Sequence, residues 1–410
     1  MAEPEPAGTS PLPLEGVRIL AIEQMQAMPF CTQLLAHLGA EVVKVEHPHT
    51  GESARASAPR IRDVDGRDVG ATYLRNNLNK SSIGIDTRHP EGVALVKRLV
   101  PHYDVVAENY KPGALAKVGL GYADLEALHP GLVYVSVSGF GNLGATPYNQ
   151  WPAYAVVAEA MGGLYGFRPE PGRAPNIGVA GALGDIGSGL FAAIGTLAAL
   201  RQRDQTGLGQ HVDVAMFDAM ISLMDMVPFN PSIGIADNSM RAWPGICDSF
   251  VARDGRFVVQ IGREHQFERL AHAIGHPEWL GDPRLASREG WRDNLEAVIR
   301  PALEAWAATR TKLEAASALA DEGVVAGPCF DASDLLRDPH VQRHKMVLSL
   351  ERPDSDRPLH VSGNPIKLSR SGERPARRWP VLGADTERVL GTDLGIDAAE
   401  LKRLRDAGAI

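Results

Sequence analysis

Val17-Arg18-Ile19-Leu20-Ala21-Ile22 is followed by Pro29 and an apolar stretch to Leu38, and then by Glu41-Val42-Val43-Lys44-Val45. These residues decide the fold. A β-branched run, a helical stretch opened by proline and a second β-branched run in quick succession predict a parallel strand-helix-strand unit, with strands at 17–22 and 41–45 and a helix at 30–38. The pattern then repeats. Residues 82–86 read as a strand leading through Pro90 into a helix at 91–100, 104–107 as a strand before a helix near Gly113, and 133–137 as a further β-branched run. An α/β architecture with a largely parallel sheet is expected.

The remaining chain changes character. Residues 155–219 are rich in Ala, Gly, Leu and Met, whereas 228–246 are broken by Pro, Asn, Ser and Gly and read as a linker or crossover. Beyond it, 250–261 predict a hairpin around Asp254-Gly255, 266–321 are mostly helical with a break near 281–283, and a helix closes the chain at 398–407. At 410 residues the chain exceeds the roughly 250–300 at which single cores stop growing. The expected division is a disordered leader at 1–13, a large domain beginning at 14–227, a linker with a small α+β domain at 228–329, and a return to the large domain at 330–410.

The chain carries 42 basic and 50 acidic residues, a net charge of −8, which disfavours a nucleic-acid partner. Three cysteines, Cys31, Cys247 and Cys329, are too few and too scattered for a disulfide framework or a zinc ribbon, so a reducing cytoplasm is expected. The 13 histidines show no metal-binding spacing. The leader lacks the basic and apolar blocks of a signal peptide, and the apolar run at 190–200 falls short of the roughly 20 residues of a membrane span. No membrane partner is expected.

Candidate chemistry concentrates in Gly181-Ala182-Leu183-Gly184-Asp185-Ile186-Gly187-Ser188-Gly189, ahead of a long apolar helix. Asp185 stands where an N-cap would. Two readings are open: a cap accepting the first helical amides, or an exposed carboxylate that attacks an activated acyl group. The glycines favour the second, through close approach of a bulky substrate. Gly187-Ser188-Gly189-Leu190-Phe191-Ala192 also fits a relaxed dinucleotide fingerprint, but no β-branched strand precedes it and the first strand-to-helix turn, 23–29, has no glycine. A nicotinamide enzyme is disfavoured. Ser138 lacks a nucleophile elbow, which disfavours a serine hydrolase. Arg75, Lys80, Lys111 and Lys117 lie in or beside connections of the α/β region, where a phosphate-bearing ligand would account for several together.

Together these segments resemble the family III CoA-transferases, which include formyl-CoA and carnitine CoA-transferases and are related to α-methylacyl-CoA racemase. The resemblance rests on Pro13-Leu14-Glu15-Gly16-Val17-Arg18-Ile19-Leu20, Leu38-Gly39-Ala40-Glu41-Val42-Val43-Lys44-Val45-Glu46, Asn79-Lys80-Ser81-Ser82-Ile83, Glu108-Asn109-Tyr110-Lys111-Pro112-Gly113 and the segment from Gly207 to Met216. It implies transfer of CoA from an acyl-CoA to a carboxylic acid through covalent aspartyl intermediates, with Asp185 as the catalytic residue and no permanently bound cofactor. It further implies that Gln26, Ala27, Lys80, Asn109, Tyr110 and Met216 line the CoA site. His47 and Lys117 fall where the transferases carry basic residues for the nucleotide phosphates, although formyl-CoA transferase has arginine there. The glycine-rich loop of that enzyme is not evident after Phe250, so formate and oxalate are not implied.

The racemase branch moves an α-proton with a histidine and aspartate pair. Here the histidine position is Tyr154, and an unperturbed tyrosine, with a pKa of about 10, is a poor general base at neutral pH. Transfer is therefore expected over racemisation, while Glu264, which matches an acidic position of racemases, keeps that alternative open. Tyr154, Gly184 and Glu264 are candidate lining residues of the active site. A non-catalytic acyl-CoA-binding protein is the third reading. The resemblance also implies a Rossmann-like large domain assembled from both chain ends, and an interlocked homodimer.

Overall fold

A computed structural model describes residues 11–144, 146–149, 151–166, 181–234 and 244–410. Most of the leader and part of the 228–246 linker lie outside the described residues. The strands and helices that carry the argument are β1 (Arg18–Ile22), α1 (Ala27–His37), β2 (Glu41–Glu46), a two-stranded ribbon of β3 (Arg60–Arg62) and β4 (Asp68–Gly70), α2 (Ala71–Asn76), β5 (Lys80–Gly84), α3 (Pro90–Leu99), β6 (Val105–Glu108), α4 (Tyr122–Glu126), β7 (Val133–Ser138), α5 (Ala155–Met161), α6 (Leu183–Thr206), β8 (His211–Ala215) and α7 (Met216–Leu223). Six of these strands form one parallel sheet in the order β5-β2-β1-β6-β7-β8. Counting only its own strands, the order is 3-2-1-4-5-6, the doubly wound Rossmann topology with its reversal between β1 and β6.

Alternation within β1 shows why the sheet is covered on both faces. Leu20 and Ile22 join Leu95, Val96 and Leu99 of α3 and the C-terminal Val389, Leu390, Leu401 and Leu404 in one core. Ile19 and Ala21 face the other way, onto Met28, Cys31 and Leu35 of α1 and Ala192, Ala193, Ala199 and Leu200 of α6. Successive side chains of a strand point to opposite faces, so a fully apolar run needs helices on both sides. The last two helices, Thr386–Leu394 and Ala398–Asp406, therefore belong to the large unit although they lie at the far end of the chain.

The chain divides into a unit of residues up to Phe229 with Arg343–Ile410, and a second of Asn230–Gln342. The second holds the antiparallel sheet β11-β10-β9, built from β9 (Ile246–Ala252), β10 (Gly255–Ile261) and β11 (Val325–Pro328), over a core stacked around Phe267, Trp279 and Trp291. Its limit at Gln342 lies beyond the expected 329. The ammonium of Lys312 pairs with Asp334, binding the short helix Ala332–Arg337 to this unit.

Three local expectations change. Helix α1 begins at Ala27, placing Pro29 at its third residue. Near Gly113 the chain forms a short 3₁₀ turn at Ala116–Val118 and α4 in place of one long helix. The apolar run at 190–200 is part of a 24-residue helix, long and apolar enough to cross a bilayer by length and composition alone. Its small residues instead pack against the sheet and α1, making it the core helix of the large unit.

Candidate active site

A helix joining two parallel strands starts at the carboxyl edge of the sheet, so the first turns of α1 and α6 both lie there, beside the β1/β6 reversal. The chain between β1 and α1 is pinned by side chains from elsewhere. Asn109 accepts the Gln24 N–H and donates to the Gln24 carbonyl, both at 2.8 Å. Glu52 accepts the Met25 N–H at 3.0 Å, and Arg75 donates to Gln26 Oε1 at 2.9 Å. Met25 has a φ of 58°, a left-handed conformation that a side chain adopts at a cost of order 1–3 kcal/mol. The pins hold it there.

Asp185 is the third residue of α6. The flanking residue is Ala182, itself left-handed, so of the two readings of Asp185 the N-cap one does not hold. Capping falls instead to Glu159 of α5, 2% exposed, whose Oε1 accepts the Gly184 N–H at 3.0 Å and whose Oε2 accepts the Tyr165 hydroxyl. Among the described residues the Asp185 carboxylate has no hydrogen-bond partner. Burial first, and then the neighbouring Glu159 carboxylate, push the Asp185 carboxyl up to about 6, against the opposing pull of Arg75.

The glycines around Asp185 serve a purpose other than the one expected. A Cβ on Gly184 would lie 2.9 Å from the Ala155 carbonyl oxygen, one on Gly187 2.5 Å from Leu223 Cδ1, and one on Gly189 2.7 Å from the Ala27 carbonyl oxygen. These three admit α5, α7 and α1, whereas a Cβ on Gly181 would meet nothing within 4 Å. That close packing locates Asp185, because residues four apart share a helix face and Gly189 meets the start of α1. Asp185 therefore shares the helix face that Gly189 turns towards the start of α1, and the charge of Arg75 reaches it. Tyr154, 74% exposed, stands immediately before α5 and next to Ala155, which Gly184 touches.

The other expected residues separate. His47 and Tyr110 line a cleft of about 280 Å³ at the carboxyl edge, with Thr50, Asp86, Thr87 and Arg88. His47 Nε2 lies 3.7 Å from Asp86, and its Nδ1 accepts the N–H groups of His49 and Thr50. Lys117 is exposed on its 3₁₀ turn. Lys80 is not a phosphate ligand. It is buried, and its three ammonium protons go to Glu23 at 2.7 Å, the Pro29 carbonyl at 2.9 Å and Asn77 at 2.9 Å, so none remains for a ligand. Burial acts to raise the Glu23 carboxyl, but Lys80 and Lys44 overcome it and hold it below the usual range. Met216 is buried in the apolar core that α1 and α6 share with the sheet. Glu264, in the smaller unit, forms a bidentate pair with Arg288 at 2.8 and 2.9 Å, which holds its carboxyl down at about 2 and makes it a weak base.

Glu159 escaped the sequence reading, and Arg75 entered it in a different role. Glu159 left a faint signal as a lone acid in the apolar run Ala155–Met161. Arg75 had been grouped with the phosphate candidates, and only the fold sets it beside Gln26 and Asp185.

The chain is 37% identical over 401 residues to the succinyl-CoA–D-citramalate CoA-transferase of Chloroflexus aurantiacus, covering 96% of this chain and 97% of that one. It is 32% identical over 384 residues to the succinyl-CoA:mesaconate CoA-transferase of Haloarcula hispanica, covering 92% and 95%. A crystal structure of a CaiB/BaiF family protein from Brucella suis superposes with a TM-score of 0.82 at 32% identity, covering 94% of this chain and all of that one. The family model for CoA-transferase family III matches residues 14–386, and with relatives aligned nearly end to end the chain belongs to that family.

Proposed function

We propose that this CoA-transferase takes CoA from succinyl-CoA, passes it through Asp185 and delivers it to a second carboxylic acid. The observation that carries the reading is the Asp185 carboxylate, set without a hydrogen-bond partner among the described residues at the start of α6 and facing the β1–α1 connection. A carboxylate with a pKa of about 6 is mostly ionised at neutral pH, and it is a stronger nucleophile than one at the ordinary 3.8.

Its oxygen attacks the thioester carbon, and the carbon–sulfur bond breaks to give an aspartyl acyl anhydride and CoA thiolate. The thiolate attacks the aspartyl carbonyl, releasing the donor carboxylate and leaving an aspartyl-CoA thioester. The acceptor carboxylate then attacks that thioester, forming a new anhydride, and the returning thiolate takes the acceptor acyl group and frees Asp185. Each step exchanges one acyl bond for another, so electrons and protons balance without a redox partner.

His47 and Tyr110 in the cleft are the proposed contacts for the nucleotide part of CoA. The dimer is also a proposal. Leu190, Ile194 and Leu197 form an exposed apolar stripe on α6, at the spacing of one helix face, which a second copy of the chain would cover. Sedimentation giving only the monomer mass would remove it. For the reaction, the test is transfer from succinyl-CoA to a panel of carboxylic acids by the parent and by Asp185→Ala. Transfer by the variant at the parent's rate would refute the nucleophile assignment.

A further inference from the structure

Arg75 is exposed at the end of α2 and spends one of its five N–H donors on Gln26 Oε1 at 2.9 Å. No ion pair or further side-chain hydrogen bond engages its guanidinium among the described residues. Arg18, Arg55 and Arg203, by contrast, each close on a carboxylate within 3.3 Å. Gln26 fixes it at the mouth of the β1–α1 connection, the surface that Asp185 faces. Its charge reaches Asp185, where it pulls against burial and Glu159, yet the two groups do not pair. The Arg75 guanidinium and the Asp185 carboxylate thus feel each other's charge without forming an ion pair.

We propose that Arg75 binds the second carboxylate of a dicarboxylic acyl group, so that both the donor and the acceptor of this enzyme are short dicarboxylic acids. The inference rests on Asp185 being the nucleophile. Both acyl groups then visit the same aspartate in turn, and one guanidinium reads both. The phosphates of CoA make a poorer match, because they sit at the far end of the pantetheine arm from the sulfur, whereas the second carboxylate of a short diacid lies a few methylene groups from the reacting carbon. A planar guanidinium with unspent donors suits bidentate capture of that carboxylate.

The experiment measures label exchange between succinyl-CoA and isotopically labelled succinate, and between butyryl-CoA and labelled butyrate, for the parent, Arg75→Gln and Arg75→Lys. A charged hydrogen bond to substrate corresponds to about 10- to 100-fold in rate. The ratio of kcat/KM for the succinyl pair over the butyryl pair should therefore fall by about that factor in Arg75→Gln and recover in part in Arg75→Lys. An unchanged ratio, whether the variant retains activity or loses it equally on both pairs, overturns the inference and returns Arg75 to structure or phosphate binding. Peptide mapping of the parent after hydroxylamine treatment separates the two levels. A hydroxamate at Asp185 with an unchanged ratio refutes the Arg75 role alone, and no hydroxamate during active exchange refutes the aspartyl reading and this one with it.

Discussion

Replacing Asp185 with asparagine should abolish transfer and make the protein more stable. The folded chain holds this carboxyl at about 6, against 3.8 ordinarily, chiefly because burial penalises the charge. At 1.36 kcal/mol per pKa unit, that difference amounts to about 3 kcal/mol against folding at neutral pH. Below pH 3.8 the group is protonated in both states and the penalty vanishes. As pH rises toward 6 the unfolded chain releases its proton while the folded chain retains it, so stability is lost over that window and the deficit is complete above it. Asparagine carries no such penalty. For a unit of this size, about 3 kcal/mol corresponds to a rise in Tm of roughly 5 °C. Thermal melts of parent and Asp185→Asn from pH 4 to 8 should show curves that meet near pH 4 and separate by that amount above pH 6. A variant no more stable than the parent at pH 7, or an offset independent of pH, would show that Asp185 is not a buried charge held at cost.

Glu159→Gln keeps an acceptor for the Gly184 N–H while removing a charge that raises Asp185. The acid limb of the transfer rate, centred near pH 6 in the parent, should move down by about 0.5–1 unit, and an unmoved limb would remove Glu159 from the electrostatics of the site. Lys80→Met leaves Glu23 in a closed interior with one ammonium fewer, at a cost of about 3–5 kcal/mol, read as a lower midpoint in urea. Loss of CoA affinity at unchanged stability would instead restore Lys80 as a ligand. Gly189→Ala presses a methyl toward the Ala27 carbonyl and should cost about 1–3 kcal/mol and slow turnover by shifting α6 on α1, whereas unchanged melting and rates would contradict the close packing.

The sheet was legible because its strands are apolar on both faces, so residues 17–45 announce a parallel unit before any tertiary contact is known. Strand β8 was missed as a strand, since His211-Val212-Asp213-Val214 alternates polar and apolar residues and lies in a region read only by its richness in Ala, Gly, Leu and Met. Asp185 stood out in the sequence, but Gly184, Gly187 and Gly189 beside it face helices: sequence shows where Cβ atoms are missing, not whether a helix or a ligand occupies the space. Lys80 shows a similar limit. A lysine in a connection reads as surface charge until the fold turns it inward onto Glu23, and an arginine such as Arg75 acquires its place only when α2 meets the start of α1.

The central claim is that CoA passes through a covalent bond to Asp185. The enzyme is incubated with succinyl-CoA, quenched with hydroxylamine and digested, and the peptide containing Asp185 is analysed by mass spectrometry. An aspartyl hydroxamate is expected at Asp185, formed only when succinyl-CoA is present and absent in Asp185→Asn. Active transfer with Asp185 unmodified, or a hydroxamate on another residue, would contradict it.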